Sequence, residues 1–311
     1  MKIIFNLLGC GLGNNGGVRT VLKSQQTLNE LGHDCKVAAK VDNFTWFKHS
    51  PVVSSVPEDA DAVVAASCVD AGRTANLPFG KKLWWIRAHE TWSMSNALLE
   101  KIYLNPRLKN LVNSEWQYDN LRRIGADARI VYQGIDFEDW VDLKLRNQKN
   151  KTVIGCLYSR KPRKRWSDFL LLAETLGTAN FEYMAYGTEK PPQGCDYIKY
   201  YRNPTLDELQ ILYSSCHIWF APTNSEGLHN CPMEAALSGC AILCSDHPRN
   251  GMIDYARPGE TAMVYSDIKE AIDMAKGYDY TLVGPMQELL HEKIGDRQKN
   301  MKYMVEIIEG M

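Results

Sequence analysis

This sequence has no run of eighteen apolar residues, so no segment reads as a membrane-spanning helix. From Met1 the chain goes straight into a strand-like stretch. It shows none of the basic region, apolar stretch and small-residue cleavage site of a secretory leader, and a cytoplasmic location is expected. Neither sign of charge is in excess. The 36 Lys and Arg stand against 37 Asp and Glu, a formal net charge of −1, which excludes a global pull toward nucleic acid or anionic lipid. The nine cysteines include no Cys-x-x-Cys pair, and most lie in apolar positions such as Cys156, Cys216 and Cys244. That pattern implies reduced core thiols and argues against zinc sites or disulfides. Internal repeats and low-complexity tails are also missing. The acidic "EDADA" at 58–62 precedes a strand instead of following one, so no Asp-x-Asp metal motif stands at a strand end.

What is present is alternation. At 311 residues the chain suits two domains, and strand-like apolar runs alternate with helical patterns throughout, the signature of parallel sheets with crossover helices. The first half offers strands at Ile3 to Leu8, Cys35 to Ala39, Ala62 to Ala66, Lys82 to Arg87, Asn110 to Val112 and Ala128 to Tyr132. Helices are expected at Val18 to Leu31 and Glu115 to Ile124, each followed by glycine. The polar stretch "VDLKLRNQKNK" (Val141 to Lys151) reads as a linker, dividing the chain into residues 1–145 and 146–311. A second set of strands follows: "TVIGCLY", "FEYMAY", "YIKYY", "HIWFAP" and "AILCS". Helices near Ser167 to Leu176, Leu206 to Ser214 and Pro232 to Leu237 accompany them. Two tandem α/β Rossmann-like domains are the simplest architecture, with ligand expected at the carboxyl ends of strands, between the domains.

Three stretches carry chemistry. After the first strand, "GCGLGNNGG" places Gly11, Gly13 and Gly16 at G-x-G-x-x-G spacing, as in a dinucleotide grip. Such a grip wants an acid near the end of the second strand to hold a ribose. This chain has Lys40 there, with Asp42 beyond it. The second stretch, "SRKPRKR" at 159–165, is a cationic turn between a strand and a helix, suited to neutralising a departing phosphate or, read blandly, to being a solvated basic loop. The third, "APTNSEGLHNCPMEAALSGCAILCSD" (Ala221 to Asp246), holds Glu226 on a glycine-containing loop and Glu234 in the helix behind it, with seven residues between them. Amides from Leu228 to Cys231 would face an anion.

This third stretch resembles the retaining glycosyltransferases of family 4 (glycosyl transferases group 1), which share the E-x7-E arrangement. The resemblance implies the GT-B fold, with two Rossmann-like domains whose parallel sheets face across a cleft. It makes residues 1–145 the acceptor-binding domain and 146–311 the nucleotide-sugar-binding domain, with the last helix placed to cross back. By resemblance, Glu226 contacts the donor sugar's hydroxyls and Glu234 the ribose, while the backbone at Leu228 and His229 cradles the diphosphate. Arg160 is the first diphosphate cation and either Lys164 or Arg165 the second. Gly16 and Gly17 form the family's glycine loop over the donor, and His89, at the end of "WWIRAH", contacts the donor sugar. The implied activity is retaining, metal-independent hexosyl transfer. The donor is a UDP- or GDP-linked sugar, a co-substrate, with no cofactor, and the acceptor is the hydroxyl of a sugar, glycolipid or other compound. A nucleotide-sugar epimerase of the same fold, an NAD-linked oxidoreductase and a non-catalytic nucleotide-sugar binder are the alternatives.

Overall fold

The computed structural model describes residues 1–311, which form two compact units, 1–135 with 295–311 and 136–294. Each unit is built on one six-stranded, wholly parallel sheet. In the first, strands β1 (Lys2–Asn6), β2 (Asp34–Ala38), β3 (Ala62–Ala65), β4 (Lys81–Ile86), β5 (Lys109–Val112) and β6 (Ala128–Ile130) lie in the order β2-β1-β3-β4-β5-β6. In the second, β7 (Thr152–Leu157), β8 (Phe181–Gly187), β9 (Ile198–Arg202), β10 (Ile218–Ala221), β11 (Ala241–Ser245) and β12 (Met263–Tyr265) lie in the order β12-β11-β10-β7-β8-β9. The central strands β3, β10 and β11 are buried along their whole length. Parallel sheets are covered on both faces by their crossover helices, so these strands read as unbroken apolar runs without alternation.

Helices α1 (Gly16–Glu30), α2 (Cys68–Ala75), α3 (Asn96–Tyr103) and α4 (Glu115–Arg123) belong to the first unit. Helices α5 (Trp166–Leu176), α6 (Leu206–Ser215), α7 (Asn230–Leu237), α8 (Ile268–Lys276) and α9 (Val283–Leu289) belong to the second. The chain's last helix, α10 (Arg297–Glu309), belongs to the first unit. Its Met301, Met304, Val305 and Ile308 join the core cluster that holds Ile3, Phe5, Val21 and Leu22. Most helix ends carry local reasons. Thr205 and Glu208 close a reciprocal capping box on α6, and Asp267 with Glu270 does the same on α8. Arg297, at the start of α10, is buried and donates to the Gln133 carbonyl at 2.8 Å.

The polar stretch 141–151 is packed within the second unit. Arg146 is only 2% exposed, forks onto the Asp142 carboxylate at 2.8 and 2.6 Å, and also donates to the Tyr280 hydroxyl. The units part ahead of it, between Ile135 and Asp136. Two helices begin earlier than the sequence suggests, α1 at Gly16 where Val18 was expected and α7 at Asn230 where Pro232 was expected. All nine cysteines are free thiols, and no helix is long and apolar enough to cross a membrane.

Candidate functional site

Strand order reverses between β7 and β10 in the second unit. Loops leaving adjacent strands at such a reversal diverge and leave room for a ligand at the strands' carboxyl ends. The loops in question are residues 158–165 after β7 and 222–229 after β10, the two stretches singled out by composition. They are knitted together by backbone. The Thr223 hydroxyl donates to the Arg163 carbonyl at 3.0 Å, and the Asn224 amide donates to the same oxygen at 3.0 Å.

A short 3₁₀ turn at Pro162–Lys164 sends two successive cations to one place. Arg163 Nη1 lies 2.8 Å and Lys164 Nζ 2.6 Å from the same oxygen, Glu226 Oε1. Of the two cations between which the sequence does not choose, Lys164 meets Glu226, whereas Arg165 pairs with Asp168 at 2.7 Å. Arg160 is mostly exposed and pairs with Glu189 at 3.4 Å, its amide also donating to that carboxylate at 2.9 Å. Arg163 was not singled out from sequence. Its signal was Pro162, which suits the first position of a helical turn and so fixes the direction of the next two side chains.

Glu226 is ionised in this setting. Burial alone would raise its pKa, but the ammonium of Lys164 and the guanidinium of Arg163 overcome that and hold it at about 2. The loop bearing it is braced from behind. Asn250 Nδ2 and Ser245 Oγ both donate to the Thr223 carbonyl, at 3.0 and 2.7 Å, and the Gly251 amide donates to the Glu226 carbonyl at 3.2 Å. Gly251 must be glycine, since a Cβ there would stand 1.5 Å from the Gly227 carbonyl oxygen.

Beyond Glu226, Leu228 is buried and His229 caps α7 with left-handed backbone, φ 63°. Tyr255 OH donates to the His229 carbonyl at 2.9 Å. The ring itself is buried, with neither nitrogen hydrogen-bonded within the protein. Burial, with Lys164 and Arg163 nearby, lowers its pKa to about 3, so the ring is neutral at physiological pH.

Glu234 lies within α7, 4% exposed, and accepts from the Tyr213 hydroxyl at 3.1 Å. That hydroxyl is 3.0 Å from the Tyr186 hydroxyl, which in turn lies 2.9 Å from Cys231 Sγ. A carboxylate fixed through a tyrosine chain has a defined direction, and Glu226 and Glu234 thus occupy electrostatically different surroundings.

The remaining candidates belong to the first unit. Gly16 and Gly17 form the first turn of α1 where a free loop was expected. The Asn15 side chain caps the Val18 amide at 2.9 Å, and Arg87 donates to the Gly17 carbonyl. Arg87 also donates to the Ala66 carbonyl at 2.8 Å, tying the glycine turn to the end of β3. His89 is hydrogen-bonded at both nitrogens, Nδ1 to Tyr103 OH at 3.1 Å and Nε2 to Asn96 Oδ1 at 2.9 Å. Asp42, the acid nearest the ribose position of the dinucleotide alternative, has partners of its own. The Asp42 carboxylate is engaged by the Phe44 amide at 3.2 Å and His49 at 3.4 Å.

No family model matches the chain, and no curated protein matches it by sequence. Solved structures do match in three dimensions. Sucrose-phosphate synthase (tll1590) from Thermosynechococcus elongatus superposes with a TM-score of 0.79 at 13% identity, over 99% of this chain and 98% of that one. Anabaena Alr3699/HepE in complex with UDP-glucose gives 0.80 at 13% identity over all of both chains. WaaG, a glycosyltransferase involved in lipopolysaccharide biosynthesis, gives 0.70 at 13% identity over 99% of this chain and all of its own. At such identities the likeness speaks for architecture. Two parallel six-stranded sheets in two Rossmann-like units, matched along the full chain, give this protein the GT-B fold of glycosyltransferases.

Proposed function

We propose that the chain is a retaining glycosyltransferase of the family 4 type, moving a sugar from a UDP- or GDP-linked donor to an acceptor hydroxyl. The observation that carries this reading is the convergence of Arg163 and Lys164 on Glu226, at the strand-order reversal of a GT-B unit and one residue cluster away from the start of α7. Cleavage of a sugar–diphosphate bond leaves negative charge on the departing phosphate oxygen. Two fixed cations beside a helix start are what that charge needs. In this reading they meet the diphosphate without a metal ion, and Glu234 takes the ribose hydroxyls. HepE, which shares the fold, has been crystallised with UDP-glucose, and that supports a nucleotide-sugar donor here. The first unit takes the acceptor, and the reaction runs in the cytoplasm.

Retention rests on the family resemblance, and the state of Glu226 bears on how it would be reached. A carboxylate held at about 2 by two cations is a weak nucleophile, so it is a poor candidate for attack on the anomeric carbon. With retention, reaction on one face is then the route we propose. The anomeric carbon–phosphate oxygen bond breaks, the acceptor oxygen bonds to that carbon from the same side, and its proton passes to the departing phosphate oxygen. Arg163 and Lys164 stabilise the developing charge, while Glu226 orients a hydroxyl of the sugar.

A thermal-shift screen of UDP- and GDP-sugars identifies the donor, since a ligand that binds only the folded state raises the melting temperature. Incubation with the donor and candidate acceptors should then release nucleoside diphosphate and give a product of unchanged anomeric configuration by NMR. Release of an epimer from donor alone would replace transfer with epimerisation. A tightly bound donor that is never turned over with any acceptor would make the chain a binding protein.

A further inference from the structure

His229 combines two unfavourable features at one position. Its backbone lies at φ 63°, where residues other than glycine are uncommon, and the residue is 8% exposed with both ring nitrogens lacking a partner in the protein. Packing alone gives no reason for this. An apolar side chain would fill the space without an orphaned N–H, and glycine would adopt the backbone without strain. The position is also held in place, because the Tyr255 hydroxyl anchors its carbonyl and Gly251 packs against the neighbouring Gly227 and Leu228 backbone.

The ring's neighbours indicate its ligand. Lys164, Arg163 and Glu226 are the charged groups that act on it, and the residue itself caps the start of α7. Two cations and a helix start favour an anion there, and a neutral imidazole is a compact N–H donor to one without adding charge. Glu226 marks the sugar side of the site in the donor reading above, so the phosphate nearest the ring is the one that carries the sugar.

We propose that the His229 side chain is a donor-contact residue, its ring N–H hydrogen-bonded to an oxygen of the sugar-bearing phosphate alongside Arg163 and Lys164. This rests on the donor-site reading. It adds a side-chain contact that distinguishes a nucleoside diphosphate from a monophosphate.

Calorimetry on wild type, H229G and H229N with UDP and GDP, and with UMP and GMP, tests it. Glycine suits the left-handed backbone, so H229G should melt no lower than wild type. Its affinity for the diphosphate should fall on the order of tenfold, the scale of one charge-assisted hydrogen bond, with monophosphate affinity changed less than about twofold. H229N keeps an N–H and tolerates positive φ, and should hold most of the diphosphate affinity. Added imidazole should restore part of the loss in H229G. If folded H229G binds diphosphate as tightly as wild type, or if H229G and H229N lose diphosphate and monophosphate affinity equally, the contact is refuted. A wild-type protein that binds none of the four nucleotides overturns the donor-site reading itself, and the contact with it.

Discussion

Glu226→Gln should make the protein bind bare UDP or GDP more tightly while slowing turnover of the full donor. In the unliganded protein Glu226 Oε1 is the partner of both Arg163 and Lys164, at 2.8 and 2.6 Å, so this carboxylate holds the charges that a diphosphate would use. The fall of its pKa from 4.5 to about 2 measures how strongly it is held. At about 1.4 kcal/mol per tenfold change in acidity, the carboxylate's net interaction with its surroundings is roughly 3 kcal/mol. That figure sets the scale of the gain. Glutamine keeps the shape and one acceptor oxygen, and solvent takes up part of the freed charge, so about 1–2 kcal/mol should reach the ligand, roughly 5- to 30-fold in affinity. Turnover should fall about 100-fold, the scale of losing one preorganised polar contact in the transition state. Calorimetry with bare nucleotide and steady-state rates with the identified donor measure the two effects. From sequence alone, a loop glutamate on the sugar side would leave bare-nucleotide affinity unchanged; the ion pairs turn that expectation into a gain. A folded Gln variant that binds UDP and GDP no more tightly than wild type would refute the competition.

Glu234→Gln should weaken bare nucleotide and nucleotide sugar alike, roughly tenfold, because the tyrosine-fixed carboxylate is assigned to the ribose that both ligands share. Lys164→Ala should lower kcat about 100-fold, whereas Arg160→Ala, on an exposed side chain paired with Glu189, should change it less than about threefold; parallel steady-state assays separate the two cations. Chelator should leave most of the activity, and loss with EDTA that Mg²⁺ or Mn²⁺ restores would reassign the diphosphate charge to a metal. His229 takes its proton at about 3 in the folded chain and at 6.5 when unfolded, so the unfolded state binds the extra proton first. Stability should therefore fall with pH from about 6.5 toward 3, by up to about 1.4 kcal/mol per pH unit, and H229G should remove that part of the slope in denaturant titrations. Glu226, with its pKa depressed, adds a separate loss only as pH falls from about 4.5 to 2.

The sheets were legible because fully buried parallel strands are continuous apolar runs, as in "AVVA" of β3 and "IWFA" of β10. The three-residue edge strand β12 was not, since Met263–Tyr265 is too short for a pattern to form. Glu226 and Glu234 stood out by spacing. The two partners of Glu226 did not both stand out: Lys164 was one of two alternatives and Arg163 was not chosen, because the choice among five cations in 160–165 depends on a single helical turn and on a left-handed residue, Arg165 at φ 49°. Helix starts were misjudged where glycine or a positive-φ histidine sits at the first turn, as at Gly16 and His229, since propensity argues against a helix there and tertiary packing overrides it. The stretch 141–151 looked like a linker because charge usually means solvent. Its arginine is instead buried against Asp142 and Tyr280.

The membership of α10 in the first unit orders the events of synthesis. Residues 136–294 are contiguous and need nothing from the last seventeen residues to complete their sheet. The earlier-made unit waits longer. Until Met301, Met304, Val305 and Ile308 arrive, one side of its core around Ile3 and Phe5 is uncovered, lacking a contribution of roughly 6–12 kcal/mol at the usual value for burying four such side chains. The first half of this protein is thus translated first and finished last. A chain cut between residues 294 and 300 would present that apolar face to chaperones while its second unit was complete.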